Sequence, residues 1–350
     1  MKVYTRDYRT EHISGRAYSR YFCGLKPCVF DIETTGLDPS RCKVIMTALL
    51  TEIEDGVRIT QFLAENHYEE EKVIEATMDF LRREGIDYLI TFNGAGFDIP
   101  FMNRRMEKLI MAEHMSCYNL DIYRFIKRQT VLPRIMKSLR QKMVEEYFGI
   151  AGSRRDTISG RESVLLYERY ALSGDSIAEK TILTHNREDV LQLYRITEHI
   201  SRDDFEDCLR DSSFDSAIAS YGMPVAYSSK GICLSAASEL KAGSVVITGT
   251  QLIRPISAAV FRDSERSIDA DFRAASQSYE IRITPRLYKG SIFIPIPELG
   301  ISTHEADYLR KLSSCLDDCL VLKNGDIIDR EAINTLSLSV ARSYYEEYSK

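Results

Sequence analysis

The pattern of apolar and polar positions predicts a sheet near the start of the chain. The apolar stretch PCVFDIE (27–33) is followed by VIMTALLTEI (44–53) and GVRITQFLA (56–64), with the lengths and turn spacing of an antiparallel meander. Residues 69–84 then repeat apolar positions at helical spacing. Further strands are predicted near 87–92 and in SCYNLDIY, with helices near 98–111, 136–147 and 176–200. A meander followed by alternating strands and helices predicts an α/β fold, with a mixed central sheet flanked by helices on both faces.

Beyond residue 200 the pattern changes to short strands. SVVITGT (244–250) and SYEIRIT (278–284) read as strands, and the second alternates strictly between apolar and polar residues. We expect SIFIPIP (291–297) to return as the partner of 278–284, confined to a sheet edge by its prolines. Helices are predicted near 304–319 and 330–348. This half therefore reads as a smaller α+β domain.

These patterns divide the chain into four parts. The predicted parts are an N-terminal extension (1–24), a first domain (25–200), a polar and acidic linker or capping helix (201–216) and the α+β domain (217–350).

Composition adds limits on location and partners. The net charge of −6 argues against nucleic-acid binding by bulk electrostatics, but residues 101–160 hold twelve Lys and Arg against six Asp and Glu, which makes that segment locally basic. The N-terminus has no secretory signal, and no apolar run is long enough to cross a membrane. Eight cysteines without a C-x-x-C pair are typical of free thiols in a reducing compartment. We therefore predict a cytoplasmic protein without membrane contact.

Two acids close the first predicted strand. Side chains at positions i and i+2 of a strand share a face, so Asp31 and Glu33 are expected to lie side by side. Like charges at that distance repel unless a cation or a proton lies between them. The pair is therefore either a solvated edge or part of a metal site.

Two more acids stand at positions with competing explanations. Asp98, in TFNGAGFDIPF, follows a strand and a glycine-rich turn, where it could simply cap a helix. Asp189 lies on a helix that is apolar nearly all round, four residues after His185, and the two could form an ordinary buried pair. Taken together, the four carboxylates could meet at one end of the sheet. Such a cluster requires divalent cations, and oxygen ligands favour two Mg²⁺ or Mn²⁺ ions that cleave phosphodiesters.

The motifs DIETTG (31–36), FNGAGFDIPF (92–101) and HNREDV (185–190) resemble the three ordered motifs of the DEDD superfamily of 3′–5′ exonucleases, which have a ribonuclease H-like fold. They are most similar to the bacterial predicted exonucleases of this kind and to the proofreading domains of family B DNA polymerases. The resemblance covers roughly residues 25–200.

The resemblance implies roles for ten residues. The metal ligands would be Asp31, Glu33, Asp98 and Asp189, and the residues touching the terminal nucleotide would be Thr34, Thr35, Gly36, Leu37 as a wedge, and Asn93. His185 would activate the attacking water. Here the sequence departs from the family, in which a Tyr stands four positions before the last Asp or a His five before it. In this chain a His stands at the four-residue spacing, which favours a shared helix face.

The sequence thus predicts a metal-dependent 3′–5′ exonuclease acting on DNA or RNA. Two alternatives stay open at this point: a non-catalytic module that binds nucleic acid or protein, and a structure-specific endonuclease. The basic run from Arg124 to Lys142 is either a solvated helix face or a set of phosphate contacts. Residues 217–350 have no assigned function, and a protein partner could bind there.

Overall fold

The computed structural model describes residues 1–155, 158–211, 223–228, 231–252, 255–256, 259–263 and 267–348. The chain divides into two compact units. The first unit contains residues 1–14 and 24–202, and the second contains residues 15–23 and 203–350. In the part of the chain that is described, no helix is both long and apolar enough to span a membrane.

The first unit is built on one six-stranded mixed sheet. Its strands are β1 (Lys2–Tyr8), β2 (Pro27–Thr34), β3 (Val44–Ile53), β4 (Gly56–Leu63), β5 (Tyr88–Thr91) and β6 (Tyr118–Asp121). They lie in the order β1-β4-β3-β2-β5-β6. The pairs from β1 to β2 are antiparallel, whereas β2–β5 and β5–β6 are parallel. The predicted meander and mixed sheet are confirmed, and the strand β1 comes from the segment that the sequence sets apart as an extension.

Helices cover this sheet. The helices up to residue 202 are α1 (Arg16–Phe22), which belongs to the second unit, and α2 (Glu70–Arg83), α3 (Asp98–Lys108), α4 (Ile122–Gln129), α5 (Leu132–Ile135), α6 (Gln141–Tyr147), α7 (Gly160–Ser173) and α8 (Ser176–Arg202). Helix α2 packs on β3 and β4, and α8 packs on β2, β3 and β4. Because side chains alternate between the faces of a strand, the complete burial of residues 44–51 in β3 shows that both faces are covered.

Two helical predictions differ from the structure. The helix expected near 136–147 begins only at Gln141, as α6, and the short helix α5 ends before it at Ile135. Helix α7 was not predicted, although Ser159 and Glu162 form a capping box at its start. That four-residue signal precedes apolar and aromatic residues at helical spacing and could have identified the helix.

The described residues of the second unit form two antiparallel sheets and three further helices. The strands are β7 (Met223–Ser228), β8 (Gly231–Lys241), β9 (Ser244–Gln251), β10 (Ala259–Asp263), β11 (Ile268–Arg273), β12 (Ser278–Ile283), β13 (Arg286–Tyr288), β14 (Ser291–Pro295), β15 (Cys315–Leu316), β16 (Cys319–Asn324) and β17 (Ile327–Ile328). The helices are α9 (Asp204–Asp211), α10 (Thr303–Arg310) and α11 (Arg330–Tyr348). One sheet has the order β10-β11-β12-β9-β8-β7, and the other has β13-β14-β16-β15 with β17 paired to β16. Helix α11 packs on β7 and β8, as expected for an α+β domain.

The expected pairing of 291–297 with 278–284 is wrong. Strand β12 lies between β11 and β9, while β14 lies inside the other sheet, between β13 and β16. Pro285 directly follows the segment and cannot donate a ladder hydrogen bond, so the chain leaves one sheet there and enters the other. Pro295 is the last residue of β14, and Pro297 lies in a 3₁₀ turn, so neither proline forces the strand to an edge.

Two other predictions in this half concern segment ends. The helix expected near 304–319 ends at Arg310, and residues 315–319 instead belong to the β15–β16 hairpin, whose turn is formed by Asp317 and Asp318 with positive φ. The predicted linker 201–216 contains the helix α9, and its residues 212–216 lie outside the described part of the chain, as do residues 217–222. The four-part division remains a prediction.

A buried ion pair anchors the turn that follows β2. Arg105 on α3 and Glu70 on α2 pair through two hydrogen bonds of 2.7 Å, with only 4% and 5% of their side chains exposed. Glu70 also accepts a hydrogen bond from the Val44 amide, and Arg105 donates one to the Pro39 carbonyl. The pair therefore ties α2, α3 and β3 to the segment just after the first acidic motif.

We predict that Arg105→Met lowers the free energy of unfolding by about 3–5 kcal/mol, because it leaves the buried Glu70 carboxylate unpaired. Arg105→Lys keeps the charge but loses the bidentate geometry, and a smaller loss is expected. Urea unfolding followed by circular dichroism would measure both. An Arg105→Met variant as stable as Arg104→Met, an exposed neighbour, would contradict this prediction.

Candidate active site

A cleft of about 1060 Å³ opens in the first unit. All ten residues that the sequence predicts for the site line this cleft: Asp31, Glu33, Thr34, Thr35, Gly36, Leu37, Asn93, Asp98, His185 and Asp189. They come from β2 and its following turn, from the β5–α3 connection, and from α8. The tertiary structure thus brings the three sequence motifs to one place.

Strand β2 presents its two acids from a largely buried position. The Asp31 Oδ2 atom accepts a 2.8 Å hydrogen bond from Asn186 Nδ2 on α8. Asn186 is held in turn by the buried Gln61 of β4, whose Nε2 donates to Asn186 Oδ1 at 2.9 Å. Glu33 is 8% exposed, and its Oε2 accepts a 3.1 Å bond from Ser163 of α7. Each acid is therefore oriented by a different helix.

Asp98 is the first residue of α3 and does not act as a cap. The N-cap position belongs to Phe97, and no side chain caps this helix. Instead, Asp98 Oδ1 accepts a 3.2 Å hydrogen bond from the Ile32 amide, between the two acids of β2. With 5% of the residue exposed, Asp98 is fixed against β2, and the capping alternative is wrong.

Helix α8 brings His185 and Asp189 to the same cleft. The His185 Nε2 atom lies 3.6 Å from Glu33 Oε1 and 3.5 Å from Asp189 Oδ2. The other oxygen of Asp189 is bonded to Arg154 Nη2. Arg154 has a 6% exposed side chain and also lies 3.5 Å from the fully buried Glu145 of α6. His185 and Asp189 are thus not an isolated core pair, because Glu33 and Arg154 belong to the same cluster.

The threonine-glycine turn after β2 is internally hydrogen-bonded. Thr34 Oγ1 donates to the Gly36 carbonyl at 2.7 Å, and Thr35 Oγ1 accepts from the Lys43 amide at 2.9 Å. A Cβ atom at Gly36 would lie 2.7 Å from the sulfur of Cys42, so a larger residue would push the turn open. Leu37 follows with 83% of its surface exposed, at the rim of the cleft.

Asp121, at the end of β6, fixes the turn after β5 through hydrogen bonds. Asp121 accepts hydrogen bonds from the amides of Asn93 (2.9 Å), Ala95 (3.1 Å) and Arg124 (3.2 Å). Through the last of these bonds Asp121 is the N-cap of α4. Asn93 has a φ of 67°, and a Cβ at Gly94 would lie 2.3 Å from the Thr91 hydroxyl, which explains the glycine. The exposed Asn93 is thereby presented to the cleft.

The carboxylates of this site resist ionisation. Burial, followed by the charges of Asp98, Asp189 and Glu33, raises the pKa of Asp31 well above its usual value. Burial raises the pKa of Glu33 to about 7, with His185 opposing and Asp189 adding to the shift. Burial also raises the pKa of Asp98 to about 7, against the backbone amides that bond to it. The folded chain therefore holds negative charge here at an energetic cost that a cation would relieve.

The donor set of the cleft fits a hard divalent cation. Ligand atoms of Glu33, His185 and Asp189 all lie within 4.8 Å of one another. Asp31 and Asp98 add carboxylates to the same cleft. Oxygen-rich sets of this kind favour Mg²⁺-like ions over soft metals.

Several residues of the site were missed by sequence reasoning. Asn186 and Gln61, which hold Asp31, are polar residues at buried positions of an otherwise apolar helix and strand. A polar residue within an apolar, buried pattern was the signal that could have identified both residues. Gln141 donates to the Asp189 carbonyl at 2.8 Å, and Arg154 bonds to its carboxylate. Neither contact has a local sequence pattern, because both depend on how α6 and residues 151–155 pack.

Comparison with known proteins identifies the segment that carries this site. Residues 28–201 match the family model described as RNase_H superfamily, which confirms the predicted ribonuclease H-like fold. Among solved structures, the family B DNA polymerase from the hyperthermophilic archaeon Pyrobaculum calidifontis is similar at 24% sequence identity and a TM-score of 0.42. The alignment covers 50% of this chain and 24% of that chain, so it spans about a quarter of the polymerase. No curated protein matches the chain.

We predict that Asp98→Asn stabilises the metal-free protein at alkaline pH. The raised pKa of Asp98 means that the folded wild type binds a proton more tightly than the unfolded chain, so stability falls as pH rises from about 4 to about 7. The Asn side chain removes that loss but can still accept from the Ile32 amide. In EDTA at pH 8 the expected gain is on the order of 2–4 kcal/mol. Thermal unfolding from pH 4 to pH 8 measures it, and an Asp98→Asn variant less stable than wild type at pH 8 would refute it.

We also predict that Arg154→Gln strengthens divalent-cation binding by tenfold or more. A guanidinium and a divalent cation that share one carboxylate repel each other by several kcal/mol at an effective dielectric constant of about 20. Titration with Mn²⁺, followed by electron paramagnetic resonance, would measure the affinity. Arg155→Gln, at the exposed neighbouring position, is the matched control and should bind Mn²⁺ as wild type does. Weaker Mn²⁺ binding by Arg154→Gln would show instead that Arg154 orients Asp189 for the cation.

Proposed function

Because residues 28–201 match the family model described as RNase_H superfamily, we propose that this chain is a metal-dependent 3′–5′ exonuclease that hydrolyses phosphodiester bonds of DNA or RNA. The observation that carries the proposal is the convergence of four carboxylates, from three separate segments, on one cleft. Acids on a solvated sheet edge would be exposed, whereas here Glu33 and Asp98 are buried, Asp31 is half-buried, and the pKa of each is raised. The 3′–5′ direction rests on the resemblance of the three motifs to the DEDD exonucleases.

In this proposal Asp31, Glu33, Asp98 and Asp189 hold two Mg²⁺ or Mn²⁺ ions. When bound, such ions supply Lewis-acid stabilisation of the charge that develops on the phosphate and on the leaving oxygen. The chain's part is to hold the four carboxylates in place before substrate arrives. The hydrogen bonds from Asn186, Ser163 and the Ile32 amide support that task.

His185 is proposed to take the proton from the attacking water. Its Nε2 faces both Glu33 and Asp189, so a protonated imidazole would lie beside two carboxylates that stabilise it. The four-residue spacing supports this role, since it places His185 one helical turn from Asp189 on the same face. Thr34, Thr35, Gly36, Leu37 and Asn93 would bind the terminal nucleotide. The exposure of Leu37 suits a wedge against its base.

Two wider assignments accompany this proposal. Residues 25–200 would carry catalysis, and residues 217–350 would form a separate domain that binds a protein partner. We also propose a cytoplasmic location, on the basis of the composition alone.

The decisive experiment compares the wild type with the double variant Asp31→Asn, Asp98→Asn. Each is incubated with 5′-labelled and 3′-labelled single strands of DNA and RNA, in Mg²⁺, Mn²⁺ or EDTA. We expect the wild type to release mononucleotides early from the 3′-labelled strand and to give a ladder from the 5′-labelled strand. EDTA or the double variant should abolish both.

Asp38→Asn is the matched control, because Asp38 is an exposed acid beside the same turn, outside the cleft lining, and the variant should stay active. Internal fragments without early mononucleotides would instead indicate an endonuclease. Equal inertness of wild type and double variant, with equal strand binding, would favour a non-catalytic binding module and reject the enzyme.

A further inference from the structure

The segment 122–142 carries seven basic residues and no acid, within a chain whose net charge is −6. Five of its basic residues are exposed: Lys127, Arg128, Arg134, Lys137 and Arg140. They lie on α4, on α5 and on the connection to α6, and we call these five residues the basic strip. A concentration of one charge sign in an acidic protein is the footprint expected of a polyanion site.

The basic strip differs in its partners from several exposed basic residues elsewhere in this unit. Among the described residues, none of the five side chains is in an ion pair with an acid. By contrast, four other exposed basic residues each form an ion pair with a nearby carboxylate. The pairs are Lys72 with Glu69 (3.0 Å), Arg83 with Glu84 (3.6 Å), Arg104 with Glu107 (2.8 Å) and Arg169 with Asp175. A merely solvated surface would be expected to intersperse acids among the bases, as these four positions do.

The basic strip is continuous with the proposed active site at two points. Arg140 itself lines the cleft. On the other side, the cleft-lining Phe92 packs against Tyr123 of α4 with ring centroids 5.7 Å apart. The Lys127 ammonium lies over that Tyr123 ring, 5.6 Å from its centroid. An extended ligand could therefore pass from the cleft to the strip without leaving a basic or aromatic surface.

The acids at the floor of the cleft are recessed, with Glu33 only 8% and Asp98 only 5% exposed. Recessed acids suit an unpaired strand end, which is narrower than a duplex. Basic grooves interleaved with aromatic rings are the usual means of holding single strands without sequence preference. Helix α4 alone is about 12 Å long, which matches about three to four successive phosphates along a strand with stacked bases.

We propose that the basic strip binds the phosphates of a single nucleic-acid strand, on the 5′ side of the nucleotide that occupies the cleft. This inference rests on the proposed function for the orientation of the strand. It adds that the protein requires an unpaired segment of several nucleotides, held through its backbone and without regard to sequence.

The test measures binding without turnover. Wild type is titrated in EDTA, by fluorescence anisotropy, with labelled oligothymidylate and oligouridylate about 20 nucleotides long and with a duplex of equal length, over a range of salt concentrations. The strip variant is Lys127→Gln, Arg128→Gln, Arg134→Gln, Lys137→Gln. The charge-matched control is Lys72→Gln, Arg83→Gln, Arg104→Gln, Arg169→Gln, at the four ion-paired positions.

We expect the strip variant to bind single strands about 10- to 100-fold more weakly than wild type at moderate salt. The slope of log affinity against log salt should fall in magnitude by about 3, at roughly 0.7 per lost phosphate contact. The control variant should keep the wild-type slope. Because no cleavage is measured, this result would stand even if the chain proved not to be an exonuclease.

Three outcomes would overturn the proposal. The strip and control variants could lose affinity equally, which would mean that only total charge matters. The strip variant could bind single strands as wild type does, or lose only duplex binding. Finally, wild type could ignore both strands yet bind polyglutamate through the strip, which would assign the surface to an acidic protein partner.

Discussion

Electrostatic repulsion among carboxylates is the constraint on which the first unit depends. Asp31, Glu33 and Asp98 meet near the C-terminal end of the inner strand β2, where Glu33 and Asp98 are buried and Asp31 is half-buried, and burial raises the pKa of each. Such a cluster opposes folding unless protons or cations neutralise it. A fold that keeps it must compensate through packing elsewhere, and the sheet covered on both faces supplies that packing.

The hydrogen bonds around the acids fix their positions against this repulsion. A buried series runs from Gln61 through Asn186 to Asp31, and a backbone amide between the two acids of β2 holds Asp98. Because these donors come from β2, β4 and α8, the site cannot assemble until the sheet and its helices are complete. The proposed metal chemistry would thus depend on the whole unit and not on a loop.

The buried Arg154 guanidinium differs from the exposed basic residues of the strip in its surroundings. Arg154 contacts both Asp189 and Glu145, so it offsets negative charge where the proposed metal ligands converge. The strip residues carry the same charge but are exposed, and among the residues described none of them has a carboxylate partner. Arg154 thus neutralises charge within the fold, whereas the basic strip is proposed to attract an external polyanion.

The sequence by itself determined the mixed sheet with five of its six strands, the helices α2, α3 and α8, and ten of the residues that line the cleft. Those features follow from local periodicity and from short motifs, whose residue types are fixed by turn geometry and by ligand chemistry. Only the tertiary structure decided that Asp98 is held by the Ile32 amide, that Arg154 bonds to Asp189, and that β14 leaves the sheet of β12. These contacts join segments far apart in the chain, and no local pattern encodes them because they arise from packing that the whole fold specifies.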